Sequence, residues 1–182
     1  MIILGIDPGS VLLGFGAIKS QGSSISLLEY GVIKAKLIQE EYNKRLLEIN
    51  FKVSQIIQRI KPDVVAFETM FYHKNAQSLI KLAQARAAAI IAVANCNIEI
   101  IEYAPMEIKK SVSGKGNASK QQIQFMVRNI LNISETPEFF DATDALAIAI
   151  THFYKQGTAG NKKRIRSWSD FVTKNPDRII NL

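Results

Sequence analysis

The chain has one cysteine, Cys96, and only two histidines in 182 residues. A single cysteine excludes an intramolecular disulfide and any multi-cysteine metal site, and it makes a reducing cytoplasm the expected compartment. Also lacking are internal repeats, extended low-complexity tracts and any uninterrupted apolar run of the roughly 18 to 20 residues that a membrane helix needs. The first apolar run stops at Asp7 with no basic lead before it, so it does not read as a signal peptide. Negative charge is in deficit: 23 Lys and Arg face 16 Asp and Glu, leaving a formal charge of +7. That balance points toward a polyanionic partner and away from a membrane interior.

What is present is enough apolar material, 47% of the residues, for one α/β domain and too little for two. Met1 to Ile6, Val11 to Ile18 and Ser24 to Ile33 are β-prone runs separated by Asp-Pro-Gly and Gln-Gly-Ser-Ser turns, the pattern of an antiparallel meander. Leu46, Ile49, Val53, Ile56, Ile57 and Ile60 recur at helical spacing and predict an amphipathic helix over 41–60, ended by Pro62. The run 63–69 reads as a strand buried on both faces, followed by a helix over 75–94, a strand over 97–104 and a short helix opened by Pro105. Helices over 118–130 and 137–154 complete the order, the last with Thr136 as cap and Pro137 at its first position. The expected architecture is a mixed five-stranded sheet, meander plus parallel strands, flanked by helices. It spans residues 1–156, with 157–182 as a basic tail carrying six Lys or Arg against two Asp.

Acids mark the ends of these elements. Asp7 closes the first strand, Glu68 closes the central later strand, and Asp141 and Asp144 share one face of the last helix at i and i+3. Each alone has an ordinary explanation: a turn-forming aspartate, an exposed strand end, a favourable helix dipole. Four carboxylates near an apolar sheet would repel one another unless a cation neutralised them. Oxygen donors without His or Cys select a hard ion, Mg2+ or Mn2+, and two such ions a few ångströms apart can activate water against a phosphodiester. Lys109, Lys110, Lys115 and Lys120 surround the acid-free loop at Gly114 to Gly116, a composition suited to phosphate contacts or simply to solubility. Gly14 and Gly16 share a face of the second strand, which predicts a close backbone approach there, with DNA as the expected neighbour. The small residues of the alanine-rich helix 83–94 suit either its own core or a twofold mate.

The stretches GIDPGSVLLGFGAI, VVAFETMFYHKNAQSLIKLAQAR, GKGNASKQQIQFMV and DATDALAIAITH, in this order and spacing, resemble the RuvC family of crossover-junction endodeoxyribonucleases over residues 1 to about 155. The resemblance implies an RNase H-like fold, a homodimer, Mg2+ dependence, four-way junction DNA as substrate and a branch-migration motor as partner. It places metal-binding catalytic acids at Asp7, Glu68, Asp141 and Asp144, the third being a position where some members carry histidine. It also assigns DNA binding or catalysis to Lys109 and Lys120, and it puts Phe71 in a loop at the junction centre with Lys74 following; His73 reads as a surface residue. Three other classes share parts of this pattern. An actin-like ATPase or sugar kinase shares the GIDPGS stretch but duplicates the fold, a junction-binding protein without nuclease activity has no need of four acids, and an RNA–DNA hybrid nuclease is the nearest enzymatic alternative.

Overall fold

Strand β1 (Ile2–Asp7) is the spine of the molecule. In the computed structural model, which describes residues 1–35, 41–70, 75–134, 137 and 139–159, it is flanked on one side by β2 (Leu13–Gln21) and β3 (Ser24–Ile33). On its other side stand β4 (Val64–Glu68) and β5 (Glu99–Tyr103). The order is β3-β2-β1-β4-β5, with the first three strands antiparallel and β1, β4 and β5 parallel. This is the meander plus parallel extension expected from the sequence. A run apolar at every position, such as Ile2 to Ile6, fits a strand covered on both faces.

The helices supply the two covers. Helices α1 (Tyr42–Ile60) and α2 (Ala76–Ala94) lie on one face, burying Ile49 and Val53, and Ala85, Ala89 and Val93, against Leu4, Ile6, Val65 and Phe67. Helix α1 ends at Lys61, whose left-handed conformation lets its N–H donate to Ile57 O before Pro62. By length and composition α2 is apolar enough to cross a bilayer. Its alanines instead let it pack closely on α1 and the sheet, and the Asn75 side chain caps its first turn by accepting from Ser78 N.

On the opposite face lie α3 (Pro105–Ser113), α4 (Lys120–Leu131) and α5 (Phe140–Ala159). Ile108, Val112, Ile123, Val127, Leu146 and Ile150 meet Ile3, Ile18, Val64 and Ala66 there. Ser119 and Gln122 form a reciprocal capping box that starts α4. Helix α5 begins at Phe140, three residues after the expected start, and Pro137 O accepts from the Gln124 side chain instead of opening the helix. It ends at Ala159, so the helix continues past the boundary expected at residue 156; Thr136 and residues 160–182 lie outside the described residues.

Candidate active site

The parallel register that sets Ile6 beside Phe67 brings the residues that follow, Asp7 and Glu68, to adjacent strand ends. Alternation decides where they point: Ile3 and Gly5 face α5, as do Val64 and Ala66, so Asp7 and Glu68 share that face.

Three glycines bring the remaining acids to them. A Cβ on Gly5 would stand 2.0 Å from Ala145 O, one on Gly14 would stand 2.0 Å from Asp141 O, and one on Gly16 would stand 2.6 Å from Leu146 Cγ. Gly5 pairs with Gly16, and Gly14 pairs with Asp7, across β1 and β2, so the three glycines form a lane without side chains on which α5 rests, by its backbone at Gly5 and Gly14 and by Leu146 at Gly16. The close approach expected at Gly14 and Gly16 is therefore real, but the neighbour is α5 and not DNA. Because the first turn of α5 is seated against Gly14, Asp141 and Asp144 are carried to the end of β1.

The result is a cleft of about 540 Å3 lined by Asp7, Glu68, Asp144, Lys109 and Lys120, with Pro105 and Ile108 of α3 on its wall. Lys120 Nζ lies 3.1 Å from Asp144 Oδ2. Asp141 does not line the cleft, yet it is near enough to act on Asp7 and Asp144 electrostatically. Burial, followed by the charges of Asp144, Glu68 and Asp141, pushes the Asp7 carboxyl well above the ordinary aspartate range; Lys120 opposes this. Glu68 is pushed up by burial and by Asp144, against the pull of Lys120 and Lys109. Asp144 is likewise raised by burial, with Lys120 the main opposing influence. Burial works against the Lys120 ammonium, but Asp144 and the other acids outweigh it and hold the lysine above its usual value. The site thus concentrates negative charge that its two lysines only partly offset.

These oxygens suit a hard divalent cation. Among the described residues no three His, Cys, Asp or Glu side chains close into a ligand cage.

Of the residues singled out from the sequence, Asp7, Glu68, Asp144, Lys109 and Lys120 meet in one cleft, with Asp141 beside it. Lys115 instead lines a separate shallow groove with Gln121, Gln122 and Phe125, and Lys110 is exposed. Phe71, His73 and Lys74 lie outside the described residues. Sequence reasoning missed Gly5, whose period-2 spacing from Asp7 was the available signal. It also missed Arg45, which donates to Ser10 O at 3.3 Å and so ties α1 to the turn after Asp7.

A cluster of carboxylates at the ends of parallel strands, with two lysines in the same cleft, defines a class of protein: an α/β enzyme built for metal-assisted attack on a phosphate ester. A family model for the crossover junction endodeoxyribonuclease RuvC matches residues 3–152. The chain is 40% identical to that enzyme from Cytophaga hutchinsonii over 178 residues, covering 98% of this chain and 88% of the relative. It is 46% identical to the one from Baumannia cicadellinicola over 166 residues, covering 91% and 92%. The structure of T. thermophilus RuvC in complex with a Holliday junction substrate superposes with a TM-score of 0.79 at 32% identity, covering 87% of this chain and 96% of that one. The chain belongs to the RuvC family of crossover junction endodeoxyribonucleases, a family of metal-dependent nucleases with an RNase H-like fold.

Proposed function

We propose that the substrate is a four-way DNA junction, cut by hydrolysis of phosphodiesters in the cleft of Asp7, Glu68 and Asp144. The observation that carries the reading is the convergence of Asp7, Glu68 and Asp144 with Lys109 and Lys120 in one cleft, where burial and the neighbouring acids raise the Asp7 carboxyl. Asp7, Glu68 and Asp144 hold Mg2+ or Mn2+, with Asp141 supporting, and two ions per site suit a displacement in which both attacking and leaving oxygens need stabilising. When bound, the metal supplies an activated water and neutralises the phosphate. Lys120, already bonded to Asp144, and Lys109 present their ammonium groups to the scissile phosphate and offset the charge that develops on it. Lys110, Lys115, Phe71 and Lys74 are proposed as contacts to the junction arms and centre. The basic tail, 157–182, adds affinity through phosphate contacts.

Symmetry favours a homodimer. Two strands must be cut to give two intact duplexes, and one chain offers one site. Ile80 and Ile91 of α2 and Leu47 and Phe51 of α1 are more than half exposed on helices packed side by side, an apolar face suited to a second copy. Ala88, in the alanine-rich stretch that suits either its own core or a mate, is half-buried against the core, and its carbonyl accepts from Asn50 Nδ2 at 2.9 Å. A cytoplasmic location and cooperation with a branch-migration motor complete the proposal.

The test is cleavage of a synthetic four-way junction, a linear duplex and an RNA–DNA hybrid, each with no metal, Mg2+, Mn2+ or Ca2+. Paired cuts in the junction with Mg2+ or Mn2+, and binding without cleavage in Ca2+, are expected. Preferential cleavage of the hybrid, or cleavage in the presence of a chelator, refutes the reading.

A further inference from the structure

We infer that Tyr103 and His152 are positioning residues that set the place of Lys109 in the cleft; the inference rests on the reading of that cleft as the hydrolytic site. Tyr103 is the last residue of β5, and its register partner across the sheet is Glu68. Its carbonyl accepts from Thr69 N at 2.9 Å, so the backbone that carries Glu68 is fastened to it. Two residues on, Pro105 opens α3, and Pro105, Ile108 and Lys109 of that helix wall the cleft. The Tyr103 hydroxyl in turn shares a 2.8 Å hydrogen bond with Nδ1 of His152, eight residues beyond Asp144 on α5. One bond therefore joins the corner between β5 and α3 to the helix that bears Asp144. A second tie lies beside it: Lys155 Nζ is 3.0 Å from Glu107 Oε1, and Glu107 Oε2 accepts from Ala104 N.

His152 is enclosed by the fold on the α5 side of the sheet. His152 is 4% exposed, burial holds its pKa below the usual value, and its Nε2 has no hydrogen-bond partner among the described residues. An unmatched buried ring nitrogen is costly, and an apolar ring of the same size would avoid it. What the histidine provides is a fixed partner for the Tyr103 hydroxyl, and so a fixed orientation of α3 against α5. Lys109, one turn into α3, inherits that orientation, and its charge acts on both Glu68 and Asp144.

The experiment is a double-mutant cycle in the full-length protein, with single-turnover junction cleavage in Mg2+, junction affinity in Ca2+ and thermal midpoint measured for each variant. Tyr103→Phe, which removes only the hydroxyl, is expected to slow cleavage about tenfold, less than the 10²-fold that a full ångström of misplacement costs, with affinity unchanged and the midpoint somewhat lowered because Nδ1 of His152 loses its partner. His152→Phe is expected to slow cleavage similarly while the midpoint holds or rises. In a Lys109→Ala background, Tyr103→Phe is expected to have no further effect on the rate. Equal slowing in both backgrounds, no slowing by Lys109→Ala itself, or a His152→Phe protein that keeps its midpoint and cuts at full rate overturns the inference. Asp7→Asn separates the two levels. If it still cuts, the site reading has failed; if it is inactive while Tyr103→Phe runs at full rate, only the positioning role has failed.

Discussion

Replacing Gly14 by alanine should damage catalysis from the opposite side of the acid cluster, without touching any acid. The added Cβ would stand 2.0 Å from the carbonyl oxygen of Asp141, 2.4 Å from its carbon and 3.1 Å from Ala142 N. Ordinary contact begins at 3.4 Å, and the nearest atoms are backbone, so no rotamer change relieves the clash. The first turn of α5 must lift from β2 by more than an ångström. Overpacking of this kind costs about 1–3 kcal/mol. For a chain of this size that lowers the melting temperature by roughly 2–4 °C per kcal/mol. Asp141 and Asp144 move with the turn while Asp7 stays on β1, and a misplacement of about 1 Å is worth on the order of 10²-fold in rate. Gly22→Ala is the control. It lies in the β2–β3 turn at φ +59° with nothing within 4 Å, so it should cost about 1–2 kcal/mol of backbone strain and leave the cleavage rate unchanged. Single-turnover cleavage well below both melting temperatures, with circular dichroism melts, makes the comparison. A Gly14→Ala protein with wild-type rate and melting temperature would refute the claim that the glycine lane seats α5.

Asp7→Asn should abolish cleavage, retain junction binding and, without metal, stabilise the fold at neutral pH. Between the ordinary aspartate value and the raised folded one, the native state keeps a proton that the unfolded chain has lost, so stability falls as pH rises through that window. Removing the group recovers about 1.4 kcal/mol per unit of displacement above it. Metal-free melts from pH 4 to 8 test this, and a mutant less stable than wild type at pH 8 would contradict it. Lys120→Met removes the cation that lowers Asp144 and Glu68; both carboxyls should titrate at higher pH in a 13C NMR experiment on the metal-free protein, and cleavage should slow. Ile91→Glu, at a side chain 53% exposed, should keep the fold and give a monomer by sedimentation, whereas a dimeric mutant would move the interface elsewhere. Truncation after Ala159 removes six Lys or Arg and two Asp. The salt dependence of junction binding should flatten by ~0.9 for each phosphate that the tail neutralises, and an unchanged slope would assign the tail another role.

The order of strands and helices, and the placing of Asp7 and Glu68 at strand ends, were legible because both are local: an apolar run stops where a carboxylate interrupts it. The side on which α5 docks was not local. Gly14 and Gly16 signalled a close approach, but only the register of β1 on β2 shows that Gly5 completes the lane and that a helix fills it. The lysines show the same division. Four in one stretch read as a single surface, yet α3 and α4 turn Lys109 and Lys120 toward the acids, leaving Lys110 exposed and Lys115 in another groove. Tyr103 and His152, 49 residues apart, carry no joint signal in sequence.

The start of α5 shows why docking mattered more than helix propensity. With the helix beginning at Phe140, Asp141 is in its first turn, where the free N–H groups favour a carboxylate, and Asp144 lies one turn further along the same face. The dipole would favour Asp141 wherever the helix lay, whereas Asp144 lies beyond the first turn and gains little from it. Bringing them to Asp7 and Glu68 opposes that preference, since burial and mutual repulsion raise Asp7, Glu68 and Asp144 together. The offsetting energy comes from elsewhere on the same helix, where Leu146, Ile148 and Ile150 are wholly buried among the sheet, α3 and α4. An apolar helix segment packed on more than one side therefore holds a charge arrangement that is unfavourable in itself, and under the proposed function a bound cation would relieve the strain at the end that carries the acids.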